Sequence, residues 1–302
     1  MIDKKNTLGN LPVLSDRFNQ LTQAPSRLEE LRQWIISLKV KGQLTQQWRE
    51  FHHNTEPTSV LLKRNRAEKV RLVKEKKIRK PKSLLPIAPD EISFEIPKDW
   101  VWCRVGGLAE IKRGKSPKYA EEGYQKMLNQ KYIRWFNIET KHAKTVEKDW
   151  FTGIDSTVLT QEGDVLVNST GEGTIGRSAI VREHAVGFLY DSHVLCVRRF
   201  VKMDLFYVPL FINSTSGQAQ IENLKGAKST KQTELGVNNL SAIVFPLPPL
   251  AEQQTIIKKV ESLLAKVSEL EHMVERNRQY AEQLLQSVLR EVMQGAKQTT
   301  PV

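Results

Sequence analysis

From Pro246 the chain reads PLPPLAEQQTIIKKVESLLAKV, and the residues that follow obey a seven-residue rule. Val260, Val267, Val274, Ala281 and Val288 form one series; Ile256, Leu263, Leu270 and Leu284 form the other, with Asn277 as its polar exception. Alternating steps of three and four over several heptads predict a coiled-coil seam, narrower than the stripe of a helix that covers a globular core. About 40 residues at 1.5 Å each make a rod of roughly 60 Å. Such a seam needs another helix. The amphipathic segment Pro25 to Gly42 is an intramolecular candidate, although far shorter. Asn277 reads either as a plain defect or as a register-setting residue. Pro246, Pro248 and Pro249 close whatever globular part precedes the rod.

The two ends echo one another. LRQWIISLKVKGQL (Leu31 to Leu44) aligns without gaps on LLQSVLREVMQGAK (Leu284 to Lys297). Leu31 matches Leu284, Ile35 matches Val288, Val40 matches Met293, and Gly42 matches Gly295 as the expected helix stop.

Charge then narrows the partner. Formal net charge is +12 with a pI near 9.6, which makes nucleic acid the leading partner class and an anionic membrane surface the second. Lys63 to Lys82 holds eleven Lys and Arg against Glu68 and Glu75. It reads either as a solvated basic helix and linker or as a segment that tracks phosphates. Mean hydropathy of −0.43 and the lack of a long apolar run predict a soluble protein that neither crosses a membrane nor carries a secretory leader. The two cysteines, Cys103 and Cys196, lack metal-ligand spacing and read as buried side chains in a reducing cytoplasm.

The organisation expected is a helical segment over 1–50, a basic helix and Pro-rich linker over 51–97, a globular domain over 98–248 and the rod over 249–302. The globular part is β-rich: WVWCRV, LAEIKRG, DVLVNST, IGRSAIV and FLYDSHVLCVRR read as strands, and Ser178 to Val181 is taken to alternate with period two. Met203 to Asn213 reads as a buried helix kinked at Pro209. The fold class is therefore α+β, a β-rich domain with a long coiled-coil helix and an N-terminal helical segment.

Gly171, Gly173 and Gly176 make a formal G-x-G-x-x-G, with Asp191 near the spacing of a ribose-binding acid. That fingerprint needs a helix to start at the glycines. Here Thr174 to Val181 reads as a second strand, so a hairpin is expected and a dinucleotide is not. P-loop, H-E-x-x-H and G-x-S-x-G motifs are missing, and His52, His53, His184 and His193 are scattered, the last expected inside a strand. No catalytic residue, metal site or cofactor site is assigned to the chain itself.

Three loops carry the right groups for DNA. The first supplies Arg113, Lys115, Ser116, Lys118 and Tyr119. The second supplies Lys131, Arg134 and Asn137, with Tyr132 and Trp135 expected on the buried side of a strand. The third supplies Lys225, Lys228, Ser229, Thr230, Lys231 and Gln232, and the flanks of the glycine loop add Thr170 and Arg177. Arg and Lys read guanine edges, Asn and Gln adenine edges, and hydroxyls hold phosphates. A coiled-coil scaffold that makes no specific DNA contact is the alternative.

FPLPPLAEQQTIIKKVESLLAKVSELE with LLQSVLREVMQGAK resembles the spacer of the DNA specificity subunit of type I restriction-modification enzymes. LRQWIISLKVKGQLTQQWRE, IPKDWVWCRVGGLAEIKRG, GDVLVNSTGEGTIGRSAIV and SHVLCVRR are similar to the stretches leading into and through its target recognition domain. The resemblance implies a domain that reads a few base pairs of double-stranded DNA. It also implies helices that space two half-sites. It further implies methylation subunits that bind S-adenosylmethionine and restriction subunits that use ATP and Mg. Members usually carry two recognition domains and two spacers, whereas this sequence has one of each: a natural half-subunit, a truncated product or a cloned fragment. A homodimer through the spacer, with Ile256, Val260, Leu263, Val267, Leu270, Val274, Asn277, Leu284 and Val288 as its seam, would restore the second copy. The target bases themselves are not written in the sequence.

Overall fold

The structure, a computed structural model, describes residues 11–201, 203, 205–227 and 233–297, with side chains for 26–155, 157–201, 203, 205–225 and 233–291. The chain divides into two compact units, one of Met1–Ile35 with Val260–Val302 and the other of Ile36–Lys259.

Helix α1 spans Leu11–Val40, longer than the Pro25 start suggested, because Pro25 is absorbed within it. It ends at Gly42, whose φ of 71° is left-handed and where a Cβ would stand 2.6 Å from Pro97 Cγ. Glycine is thus required there twice over. Helix α2 (Gln46–Phe51) follows, then α3 (Thr58–Lys74), which starts after Pro57. An extended linker leads from the end of α3 into the strands.

The strands are β1 (Val101–Arg104), β2 (Ala109–Arg113), β3 (Tyr119–Ala120), β4 (Gln125–Leu128), β5 (Lys144–Val146) and, after the short helix α4 (Lys148–Thr152), β6 (Val165–Asn168). Next come β7 (Ser178–Ile180), β8 (Leu189–Tyr190) and β9 (Val194–Arg199). Helices α5 (Tyr207–Ile212) and α6 (Thr215–Leu224), strands β10 (Gly226–Ala227) and β11 (Thr233–Glu234), helix α7 (Val237–Ala242) and strand β12 (Val244–Leu247) complete the globular part. Two four-stranded sheets run in the orders β2-β9-β6-β7 and β3-β5-β4-β8, the only parallel pair among them being β4 with β8. The pair β1–β12 ties the entry of the domain to its exit in antiparallel register.

The core explains where the period failed. Leu166, Ala179, Val194 and Cys196 pack with Leu128 and Ile133. Every residue of β6 and β7 is buried, so Ser178 to Val181 has no solvent face to alternate toward. FLYDSHVLCVRR is broken by a turn at Asp191–His193, which places His193 outside the strand expected for it. α5 is buried at all six positions, in line with its apolar sequence. Both cysteines are free and buried, and burial pushes both thiols up from their ordinary values.

Helix α8 (Leu250–Lys297) grows directly out of the prolines. Its Glu252 is fully buried and accepts from Thr45 Oγ1 (2.6 Å), Arg49 Nη1 (2.6 Å) and Trp100 Nε1 (2.8 Å). Gln253 Nε2 donates to the Pro248 carbonyl at 2.8 Å. Glu252 and Gln253 of the PLPPLAEQQ stretch therefore have a physical role: one carboxylate in the helix's first turn, favoured there by its dipole, pins α2 and the residue before β1.

In the smaller unit, Arg32 of α1 binds Glu271 of α8 through Nε (2.9 Å) and Nη2 (2.5 Å), and Ser268 through Nη2 (3.0 Å). Ile256, Val260 and Val267 of the seam are buried, whereas Leu270 and Leu284 are 44% and 55% exposed. Leu263, Val274, Ala281 and Val288 are half-buried and Asn277 is exposed. The expected match of Gly295 to Gly42 as a helix stop fails: α8 continues through Gly295. Glycine lowers helix propensity by only about 1 kcal/mol, and ends a helix where tertiary contacts demand the left-handed turn. Gly42 has such contacts, its carbonyl accepting from Arg49 Nη2 at 2.7 Å.

Candidate nucleic-acid interface

Strand direction decides which loops meet. Arg113 at the end of β2 pairs with Leu195, Asn168 at the end of β6 pairs with Val194, and Val167 pairs with Ser178 at the start of β7. The loops after β2 and β6, and those before β7 and β9, consequently leave the same end of one sheet. The loop after β4 joins them: Asp191 N donates to Leu128 O (2.9 Å), and Asn168 Nδ2 donates to Gln130 O (3.0 Å). So does the β11 limb, because Leu235 N donates to Ser169 O at 2.8 Å and Glu234 pairs with Arg113.

This end of the sheet holds Arg113, Lys115, Lys131, Thr170 and Arg177, with Ser116, Lys118, Tyr119, Arg134 and Asn137 in the loops that leave it. Lys115, Ser116, Lys118, Tyr119, Lys131, Arg134 and Asn137 are exposed, and Arg113, Thr170 and Arg177 half-buried. Their availability differs. Arg113 also donates to Ser192 O at 2.9 Å, which makes it a strut between loops. Arg134 is held by Glu139 (3.2 Å), and Lys225, at the end of α6, pairs with Glu222. Lys228, Ser229, Thr230, Lys231 and Gln232 lie outside the described residues.

The glycine loop is a β6–β7 hairpin end, with Gly171, Gly173 and Gly176 at φ of 100°, 66° and 83°. No helix starts there, and β7 begins only at Ser178, later than Thr174. The tight turn presents Thr170, whose hydroxyl lies 2.8 Å from His193 Nδ1 and 3.2 Å from Gln130 Oε1. Among the described residues, Asn168 Oδ1, the Ser169 hydroxyl and Arg177 Nε are buried without hydrogen-bond partners, an unusual concentration of unmet polar atoms at one loop end. Asp191, suggested by spacing as a ribose acid, is instead a buried turn residue whose Oδ1 accepts from His193 N at 2.9 Å. Burial raises its carboxyl above the ordinary range.

Trp135 corrects the expectation of a buried aromatic. Residues 130–137 form no strand, only an isolated bridge from Ile133 to Ile138, and Trp135 is 44% exposed. Phe136 next to it takes a left-handed φ of 61°, its N–H held by Ser178 O at 3.1 Å. That turn swings Trp135 outward, where the Arg177 guanidinium covers its ring at 5.7 Å. Tyr132 does pack on the core, as expected. Gln130, His193 and Trp135 are thus additions to the face. Only the polar NQK stretch hinted at the first.

Among the described residues no cluster of His, Cys, Asp or Glu has the makings of a metal site, and no helix is long and apolar enough to cross a membrane. Such a face, carried on a buried sheet, belongs to an α+β domain that a long helix follows. Residues 97–278 match the family model for the type I restriction modification DNA specificity domain, and the chain belongs to that family. The type I restriction enzyme EcoEI specificity subunit of Escherichia coli is 28% identical over 277 residues, 88% of this chain and 45% of that protein. The EcoAI specificity subunit, also of Escherichia coli, is 27% identical over 276 residues with the same coverage. The chain therefore spans about half the length of the curated relatives it matches. A chain from a structural study of complex assembly and conformational transition in the type I R-M system superimposes with a TM-score of 0.52 at 15% identity, over 93% of this chain and 59% of its own. That is a likeness of fold.

Proposed function

We propose that the chain reads DNA sequence for a type I restriction-modification complex in the cytoplasm, directing other subunits to a bipartite site without itself catalysing a reaction. The observation that carries this reading is the convergence of the β2, β4, β6–β7, β9 and β11 loops at one sheet end. Polar reach and rigid anchoring meet there, which is what base readout requires. On this reading the base-contacting candidates are Lys115, Lys131, Asn137, Thr170 and Arg177, while Arg113 positions them.

The partners follow from the family: methylation subunits carrying S-adenosylmethionine, and restriction subunits using ATP and Mg. The exposed seam beyond Val267 is offered to another helix, and a second copy of this chain is the proposed occupant, giving two recognition domains.

Selection of the purified protein against a randomised duplex library tests the core of this. Enrichment of one short sequence, lost when Arg177 and Lys131 are both replaced by alanine, is the expected result. Retention of all duplexes alike, at an affinity governed only by salt, would leave a non-specific scaffold.

A further inference from the structure

A cleft of about 1540 Å³ lies within the larger unit, and Arg113 and Lys115 of the sheet end described above also line it. One wall is the end of α3 and the linker after it, and the facing wall is β2. We propose that this cleft is a docking groove for an acidic, amphipathic helical segment of a different protein chain.

The lining is mainly basic and apolar; of its four acids, Asp90, Glu91, Glu110 and Asp155, Glu91 is paired with Arg104 and Glu110 with Lys112. Lys76, Arg79, Lys80, Lys82 and Lys115 reach it and make no ion pair among the described residues. Lys77 and Lys112 reach it too, already paired with Glu75 and Glu110. Between the cations lie Val73, Ile78, Leu85, Ile111, Ile154 and Val158. Leu85 is 78% exposed, an apolar side chain of unusual prominence on a basic surface. A duplex would satisfy the cations and gain nothing from the apolar strip. A helix with acids on one face and leucines on the other satisfies both.

The groove is also pre-formed. Arg104 is 8% exposed at its side chain and engages the linker with Nε to Leu85 O (2.8 Å) and Nη2 to Pro86 O (2.9 Å). Its remaining donors go to Glu91 (2.9 and 2.7 Å) and Ala242 O (2.6 Å). All five guanidinium N–H groups are thus spent on holding the wall in place. Lys69 Nζ adds a bond to Gly106 O at 3.0 Å. A wall fixed before binding loses little freedom when a ligand arrives.

The occupant comes from another protein. At +12 a second copy repels the groove, and the acids of α8 alternate with Lys and Arg instead of forming an acidic face. This inference stands whether or not the recognition loops read DNA.

The test uses the full chain and a fluorescein-labelled synthetic helix of Glu and Leu in amphipathic order, beside a peptide of equal composition in scrambled order and a 20-residue-pair random duplex. The ordered peptide should bind at least about tenfold more tightly than the scrambled one, as surface charge alone would not produce. Reversing Arg79, Lys80 and Lys82 to Glu should weaken it about tenfold, and Ile78→Ser with Leu85→Ser should do the same while leaving duplex affinity unchanged. A benzophenone on the ordered peptide should crosslink to residues 76–85 and 109–115 of the unmutated chain. Equal binding of the two peptides, or crosslinks elsewhere, overturns the proposal. Loss of duplex binding in the charge reversal, with no effect of the apolar pair on the peptide, would reassign the groove to a DNA backbone.

Discussion

Lys39 lies at 0% exposure with its Nζ 3.6 Å from the centre of the Tyr207 ring and no hydrogen-bond partner among the described residues. The ring face favours an ammonium, but three unmet N–H donors in a dry site outweigh it, and burial holds the Lys39 pKa well below its ordinary value. Between the folded and unfolded pKa values the unfolded chain binds more protons, so stability rises with pH through that window up to about 10.4, the unfolded value. Lys39→Met removes the burden and the dependence together. We expect it to stabilise the chain by about 1–3 kcal/mol at neutral pH, with the gain shrinking toward pH 10 in urea melts. Parallel pH profiles for the two proteins would show that Lys39 keeps its ordinary pKa in the fold and would overturn this account. On the recognition face, Arg177→Ala should cost about 1–3 kcal/mol on the preferred duplex and relax selectivity at one base position. Arg113→Ala should act differently, because it removes the strut that ties Glu234 to the Ser192 carbonyl: a lower melting temperature and uniformly weaker binding to every duplex. Titrations over single-base variants separate the two.

At the scale of elements, α3 ends in a left-handed turn without a glycine. Lys76 takes φ of 55°, Lys77 N reaches Leu72 O at 2.9 Å and Lys76 N reaches Val73 O at 3.1 Å. This double bond pattern caps the last carbonyls, and glycine is the residue that adopts it without steric cost. Lys76→Gly should therefore raise stability by about 1 kcal/mol, read as a higher urea midpoint with an unchanged slope. Elements with a strong local signal were legible in the sequence: the long helix α8, the basic helix α3 and the apolar runs that form strands. The hairpin at Gly171–Gly176 was legible too, since nothing after the glycines could have been a helix. What depends on distant partners was not. Trp135 faces solvent where period two predicts burial, because Phe136 makes a left-handed turn. Arg104, which organises the linker, looked like any strand arginine, since its acceptors lie 13 to 138 residues away. Likewise Thr170 and His193 meet only because β6 and β9 are paired.

For the molecule as a whole the unfinished surface is α8. Its 48 residues extend about 72 Å at 1.5 Å each. Leu270 and Leu284 remain 44% and 55% exposed, although the heptad pattern continues through them. An apolar stripe of that length seeks a helix, and identical chains most often close as a two-fold pair. Val in one series with Leu in the other suits two strands. That preference belongs to parallel helices, so the antiparallel order we propose rests on the family resemblance. Two-fold symmetry then requires a palindromic, two-part target with half-sites about one helical turn apart, near 10 bp. Light scattering of the wild-type chain should give twice the chain mass, and Leu270→Glu with Leu284→Glu should return it to a monomer without lowering the melting temperature of the globular unit. Such a monomer should still select one half-site, at reduced affinity for the full target, because the loops we propose to read bases are built within the larger unit. A strictly monomeric wild-type mass with and without DNA would end the proposal. So would a dimer that prefers an asymmetric site, since identical recognition domains cannot favour different half-sites.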